Sequence, residues 1–226
     1  MRPLIIMYGE KIDWFHTVIR MLMYLAGVAV LALDMSLQTA SGLGVAALTC
    51  FATTLSMLTD KTLGFWITAT YVAYIVAQFT ILRREFQPRI LLELCFSTLI
   101  GGFTDFFMAV NPLHPAALPI QVETMLLSLA VTAFGVSLVV NMGVVPNAPD
   151  GLVQVIAEKI KRRFGDVKVV FDCSHVAVSL VLSLALMHNL GGFGVTTAIS
   201  ALFLGHVINI ANKLFAQRFV RAAFGK

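Results

Sequence analysis

Charge is what this sequence has least of. Only 12% of its 226 residues are Asp, Glu, Lys or Arg, about half the share carried by soluble domains. With 58% hydrophobic residues and no long polar stretch, a soluble enzyme is excluded and a single compact membrane domain is expected. Cysteine pattern is lacking too. Cys50, Cys95 and Cys173 lie in or beside apolar segments without Cys-x-x-Cys spacing, and three thiols cannot all pair within one chain, so reduced cysteines are expected. The ten methionines show no Met-x-x-Met spacing and read as packing residues. No metal and no cofactor is expected. No Ser/His or paired-Asp signature marks an intramembrane enzyme, and none is expected. A signal peptide is not expected either, because the short apolar patch in Met1–Glu10 lacks a small-residue cleavage site.

The sequence does hold long apolar runs. About twenty apolar residues cross roughly 30 Å of hydrocarbon, and six segments qualify: 20–39, 65–82, 90–109, 123–143, 168–188 and 194–213. Two more, 42–58 and 147–164, are shorter or amphipathic and are expected to enter or lie against the membrane without crossing it. Basic residues set the orientation. The net charge of +4 is no nucleic-acid footprint, because the basic residues cluster between apolar runs. Arg2, Lys11 and Arg20 precede the first span, and Arg83, Arg84 and Arg89 follow the second. Lys159, Lys161, Arg162, Arg163 and Lys168 precede the fifth, and Lys213, Arg218, Arg221 and Lys226 close the chain. Six spans with both termini in the cytoplasm put every Lys and Arg except Lys61 on one side. The expected layout is an N-terminal cytoplasmic or interfacial segment over 1–19, one transmembrane domain over 20–213, and a cytoplasmic tail over 214–226.

The two halves, about 20–109 and 123–213, read as copies. Each runs span, Gly/Pro break, short helix, span, polar turn, span. Gly27 falls on Gly135, the Gly42–Gly44 turn falls near Asp150–Gly151, and Gly101 with Asp105 falls on Gly205 with Asn209, so the offset drifts from 108 to 104. Three spans per half make the second copy start from the opposite side, the inverted arrangement common in secondary transporters. The expected fold class is therefore an all-α polytopic membrane protein with two inverted three-span repeats, each carrying a short non-crossing or re-entrant helix.

The stretch from Val145 to Ala211 carries a family resemblance. Asp150 follows a Gly/Pro-rich turn and precedes a short helix with a basic end, Asp172 lies in the next span, and Gly191, Gly192, Gly194 and Thr196 form a turn before a last helix containing Gly205. This resembles the YczE/YyaS/YitT-type bacterial membrane proteins. Their Pro-Trp-Asp-like sequence after the first Gly-rich turn is replaced here by Gly42-Leu43-Gly44-Val45-Ala46. The resemblance implies a multi-pass protein of the bacterial cytoplasmic (inner) membrane, with the lipid bilayer as its surroundings.

Ionisable groups inside spans cost about 2.5–3.5 kcal/mol each at the helix centre and default to functional candidates. Asp34 and Gln38, one turn apart, lead to the Gly42 and Gly44 break. Asn147, Asp150 and Gly151 form the second break, where Asp150 reads as a helix N-cap and Pro149 as a barrier to any helix running in from Asn147. Asn141, His206 and Asn209 are polar company, with His206 and Asn209 facing the bundle if Gly205 marks a close contact. These ten residues are the expected solute-binding set. Asp105, and Asp172 with His175 at i+3 on one face, are candidates for proton coupling. Glu93 and Asp172 are also close enough to the cytoplasmic side to pair with Arg89 or Lys168, and His114 and His188 fall at the outer surface. Two facing helix N-termini favour a carboxylate, and Asp34, Asp105 and Asp150 favour a cation or amine, so a small polar or zwitterionic solute satisfies both. The functional expectation is a small secondary transporter, with a homodimer fitting so small a chain. The alternative is a non-transporting regulatory or scaffold protein that docks a partner through the basic 159–168 segment. Single cysteines test the span map: D60C and P115C are expected to react with an impermeant thiol reagent from outside and D150C is not. External labelling of D150C would sink it.

Overall fold

The breaks, more than the spans, determine how this chain is arranged. The computed structural model describes residues 14–83, 88–113 and 115–224, with the side chains of 88 and 89 not described. Arg2, Lys11, Arg84, His114 and Lys226 therefore lie outside the described residues, as does most of the expected 1–19 segment.

The described residues form eight α-helices: α1 Trp14–Ser41, α2 Ala47–Leu58, α3 Leu63–Leu82, α4 Leu92–Val110, α5 Leu118–Met142, α6 Ala148–Lys159, α7 Phe164–Leu186 and α8 Val195–Phe224. Six of them (α1, α3, α4, α5, α7 and α8) are long and apolar enough to cross a membrane. At about 1.5 Å rise per residue, the 12 residues of α2 and of α6 span only about 18 Å, too little to cross. The chain is an all-α, multi-pass integral membrane protein.

Local chemistry sets the helix ends. Gly42 and Gly143 adopt left-handed backbone directly after α1 and α5, the conformation that closes a helix at low cost only for glycine. Pro119 and Pro149 sit in the first turns of α5 and α6, where a missing N–H costs nothing. Two expectations are corrected here. Asp150 is not the N-cap of α6: the cap position is Asn147, and Pro149 lies inside the first turn rather than barring it. The last span does not end at 213: α8 continues to Phe224, buries Ala223 and sets the Phe224 ring 5.2 Å from the Arg20 guanidinium.

The helices pack across the two halves. α1 crosses α5, α2 packs on α7, and α6 packs on α3. Gly27 and Gly135 bring α1 and α5 together: a Cβ on Gly27 would lie 2.8 Å from Val139 Cγ2, and one on Gly135 2.9 Å from Leu31 Cδ2. Tyr24, Val28, Leu31, Ile67, Tyr71, Phe96, Ile100, Leu138 and Met142 form the core between them. Helix ends recur at a fixed spacing. Ser41 and Met142, Ala47 and Ala148, Leu58 and Lys159, and Leu63 and Phe164 are each 101 positions apart. The glycine pairing of Gly27 with Gly135 differs from that spacing by seven residues. Seven residues are about two helical turns, a shift at which one apolar helix face still matches itself.

The first break is held by backbone pairing. Val45 N–H donates to Gly192 O at 3.0 Å, and Thr196 N–H donates to Leu43 O at 2.9 Å. Gly44, at φ +91°, has room for no side chain, since a Cβ there would lie 2.5 Å from Gly194 N. G44A is expected to destabilise the fold by at least the 1–3 kcal/mol typical of a strained backbone position. G102A, where a Cβ meets open space, is the neutral control. Thermal midpoints in detergent measure both.

Candidate functional site

A polar cluster gathers where the start of α6 meets α3, α4 and α7. The Lys168 ammonium bridges two carboxylates, Asp150 Oδ1 at 3.0 Å and Asp172 Oδ1 at 3.1 Å. Asp172 is one turn beyond Lys168 on α7, whereas Asp150 comes from the first turn of α6, beside free N–H groups at the positive end of its dipole. Side-chain exposures of 23% for Lys168, 41% for Asp150 and 26% for Asp172 leave the cluster reachable. One ammonium against two carboxylates gives the cluster a net negative charge.

Around this cluster lie Tyr71, Tyr74 and Gln78 on α3. The Tyr74 hydroxyl is hydrogen-bonded to His175 Nε2. His175 Nδ1 lies 2.8 Å from the Phe171 carbonyl. A carbonyl can only accept, so Nδ1 carries the proton and, in the neutral ring, Nε2 accepts from Tyr74. Tyr71 lies beside the Asn147 side chain. Gln78 Nε2 donates to Glu93 Oε2 at 2.7 Å, and both side chains are only 1% exposed. Gly151 is glycine for a reason: a Cβ there would sit 2.9 Å from Glu93 Oε1 and 3.2 Å from the Gln78 amide.

Of the residues singled out from sequence, Asn147, Asp150, Gly151, Asp172 and His175 thus come together in one place. Asp172 pairs with Lys168, and both ring nitrogens of His175 are engaged with Tyr74 and the Phe171 carbonyl. The sequence reading missed Tyr71, Tyr74 and Gln78. They sit on α3 at i, i+3 and i+7, a polar face inside an otherwise apolar span, and that spacing is the signal that could have found them. Glu93 accepts from Gln78, and the side chain of Arg89, one of its expected partners, lies outside the described residues.

The other candidates lie apart. Asp34 Oδ2 accepts from Gln38 Nε2 at 2.8 Å, and Gln38 Oε1 accepts from the Ala46 N–H at 2.6 Å. This buried pair ties the end of α1 to the start of α2, with Gly42 and Gly44 in the connection, and Asp34 Oδ1 makes no hydrogen bond among the described residues. Asn141 Nδ2 and the Ser137 hydroxyl both donate to Asn212 Oδ1 on α8, at 2.9 and 2.6 Å. Asp105 caps α3, accepting from Gly64 N–H at 2.8 Å and from the Thr62 hydroxyl at 2.7 Å. His206 and Asn209 are exposed on α8, and a Cβ on Gly205 would meet nothing within 4 Å. The close contact that was to turn them inward is not made. Among the described residues, no three His, Cys, Asp or Glu side chains are placed to hold a metal ion.

Removing the central cation leaves two carboxylates facing each other. K168M is expected to cost about 2 kcal/mol, below the roughly 3–5 kcal/mol of a fully buried broken pair because all three groups are partly exposed. Adding D150N and D172N to K168M is expected to restore most of the loss in detergent melts.

No curated protein and no solved structure matches this chain. The model of a family of unknown function, DUF6198, matches residues 18–213, whereas the YczE/YitT likeness is not what that match supports. With nearly all its helices inside the matched region, the chain belongs to the DUF6198 family.

Proposed function

We propose that this protein is a small membrane transporter built from two opposed copies of three spans, α1–α4 and α5–α8, with the Asp150–Lys168–Asp172 cluster as its solute site. The observation that carries the reading is the contact between Tyr74 and His175. These two residues are 101 positions apart, the spacing at which the helix ends recur. A residue touches its own counterpart only where a two-fold axis passes. The packing follows the same exchange, α2 on α7 and α6 on α3. Inverted repeats with helix breaks at their interface are the usual frame of secondary transport.

The chemistry of the cluster suits a small solute with an amine. Two carboxylates against one lysine attract a positive group, and a solute ammonium can take the place of the Lys168 contact to either one. The first-turn N–H groups of α6 suit a carboxylate, so a zwitterion fits both ends. His175 and Asp172 are the groups that exchange a proton with the solute site, and Asp34 with Gln38 keeps the α1–α2 connection in shape.

Purified protein in liposomes, challenged with labelled amines and zwitterions with and without an imposed pH gradient, tests this. D172N and D150N are each expected to reduce uptake at least tenfold while expression and monodispersity hold. Full uptake by both variants would overturn the site. Failure of every solute, together with a partner whose co-purification is lost in R162A/R163A, would favour the regulatory reading.

A further inference from the structure

The two halves keep the same helix spacing but not the same closure. α3 and α4 pack along a tight seam, whereas α7 and α8 make no comparable contact. In the first seam a Cβ on Gly64 would lie 2.1 Å from Gly101 O, the Thr68 hydroxyl donates to Ser97 O at 3.1 Å, and Asp105 caps the start of α3 through Gly64 N–H. The two glycines recur in the second half but stand apart, Asn209 stands in place of Asp105, and Val169 in place of Thr68 has no hydroxyl to donate. Gly165 occupies the second position of α7, as Gly64 does in α3. A Cβ on Gly165 or on Gly205 would meet nothing within 4 Å. No side chain caps α7. Asn209, four residues after Gly205 as Asp105 is after Gly101, stands exposed on α8, as does His206.

α8 is displaced in a definite direction. It rests on α1 as well as α5, while α4 makes no comparable contact with α5. Its far end is held there by Phe215 and Phe219 against Phe134, at ring distances of 5.4 and 5.5 Å, and by Phe224 under Arg20. The turn joining α7 to α8 contains His188 and Gly191, both in left-handed backbone, so the two helices diverge from a point where the chain already bends sharply. Meanwhile His206 and Asn209, about twelve and fifteen residues into α8, are exposed polar groups on an apolar span, a placement that costs free energy until a partner is found.

We infer that α7 and α8 close on each other in a second conformation, with Gly165 packed on Gly205 and the Asn209 side-chain oxygen accepting the uncapped N–H groups at the start of α7. The inference rests on the repeat reading of the transporter. The closed α3–α4 seam supplies the geometry of the closed state, and the observed α7–α8 gap is the open one. Alternation between the two is the gating motion a transporter of this frame requires. Closure buries the polar groups of α8 and caps α7 in one step.

Disulfide trapping tests the motion without knowledge of the solute. In a chain with Cys50, Cys95 and Cys173 replaced, V169C/A201C stands at the positions matching Thr68 and Ser97, both exposed here. T68C/S97C is the positive control, since bridging needs Cα atoms within about 7 Å. Under mild oxidation in liposomes, V169C/A201C is expected to cross-link within the chain. N209A is expected to slow that cross-linking at least threefold, and N209D, which installs the Asp105 chemistry, to restore or hasten it. Absence of a V169C/A201C cross-link while T68C/S97C forms one would overturn the inference. So would a cross-link found only between chains, because a second copy would then fill the gap. Neither outcome depends on uptake, so closure and transport fail independently.

Discussion

Hydrocarbon offers no hydrogen bonds, and this chain interrupts its helices twice within reach of it. Every exposed backbone group at those interruptions must therefore be met from inside the protein. The break after α1 is met by the turn before α8, through Val45 N–H to Gly192 O and Thr196 N–H to Leu43 O, with the Thr197 hydroxyl donating to Val45 O at 2.6 Å. The break after α5 is met by α1: Arg20 donates to Met142 O at 2.6 Å and to Gly143 O at 2.7 Å, and the Tyr24 hydroxyl faces Val145 O. Each half thus completes the backbone of the other. Neither half can fold as an isolated unit without leaving carbonyls or amides orphaned, at several kcal/mol apiece in such a medium.

The same constraint explains the buried serines and threonines. Thr70, Thr104, Thr124 and Thr132 each donate to the carbonyl one turn back, so these hydroxyls are satisfied within their own helix and help little in holding helices together. Cohesion comes from close approach at Gly27, Gly64, Gly101 and Gly135, from ring packing such as Tyr71 on Phe96, at 6.5 Å and nearly parallel, and from the few hydroxyls that reach across helices, such as Thr54 to Ser179 at 2.6 Å.

The spans were legible because they depend on composition alone. Apolar runs of twenty residues have one outcome in a bilayer, and five of the six expected segments match their helices closely. The sixth helix runs past its expected end because Arg218 and Arg221 look like tail residues, whereas Phe215, Phe219 and Ala223 of the same helix pack inward. The break at Asn147–Gly151 was also legible from Pro and Gly. Its helix start was not, since a proline two residues into a helix and a proline barring one look alike in sequence. The partners in the cluster could not be read either. His175 and Asp172 share a face of α7, but α3 brings Tyr74 closer to His175 than Asp172 comes, and Lys168 claims the carboxylate first. Asp34 and Gln38 read as a polar stripe toward a cavity, yet the Ala46 N–H left free by the break took up the glutamine.

On the proposed repeat, the shared frame and the charged cluster pull in different directions, and the difference supports the cluster as the solute site. Positions 101 apart hold the same residue where the frame is built: Gly42 and Gly143, Ala47 and Ala148. At the cluster they diverge. Asp150 stands where the first half has Thr49, Lys168 where it has Ile67, and Asp172 where it has Tyr71. Thr49 spends its hydroxyl on Ala46 O at 3.0 Å, and Ile67 is fully packed, so neither of these counterparts presents a charge. Folding requires only the shared frame, which Thr, Ile and Tyr already satisfy. Two carboxylates and a lysine at partial exposure add little net stability to that frame, since their desolvation offsets most of their attraction. Charged groups that the fold does not need are, on the proposed reading, where a solute meets this protein.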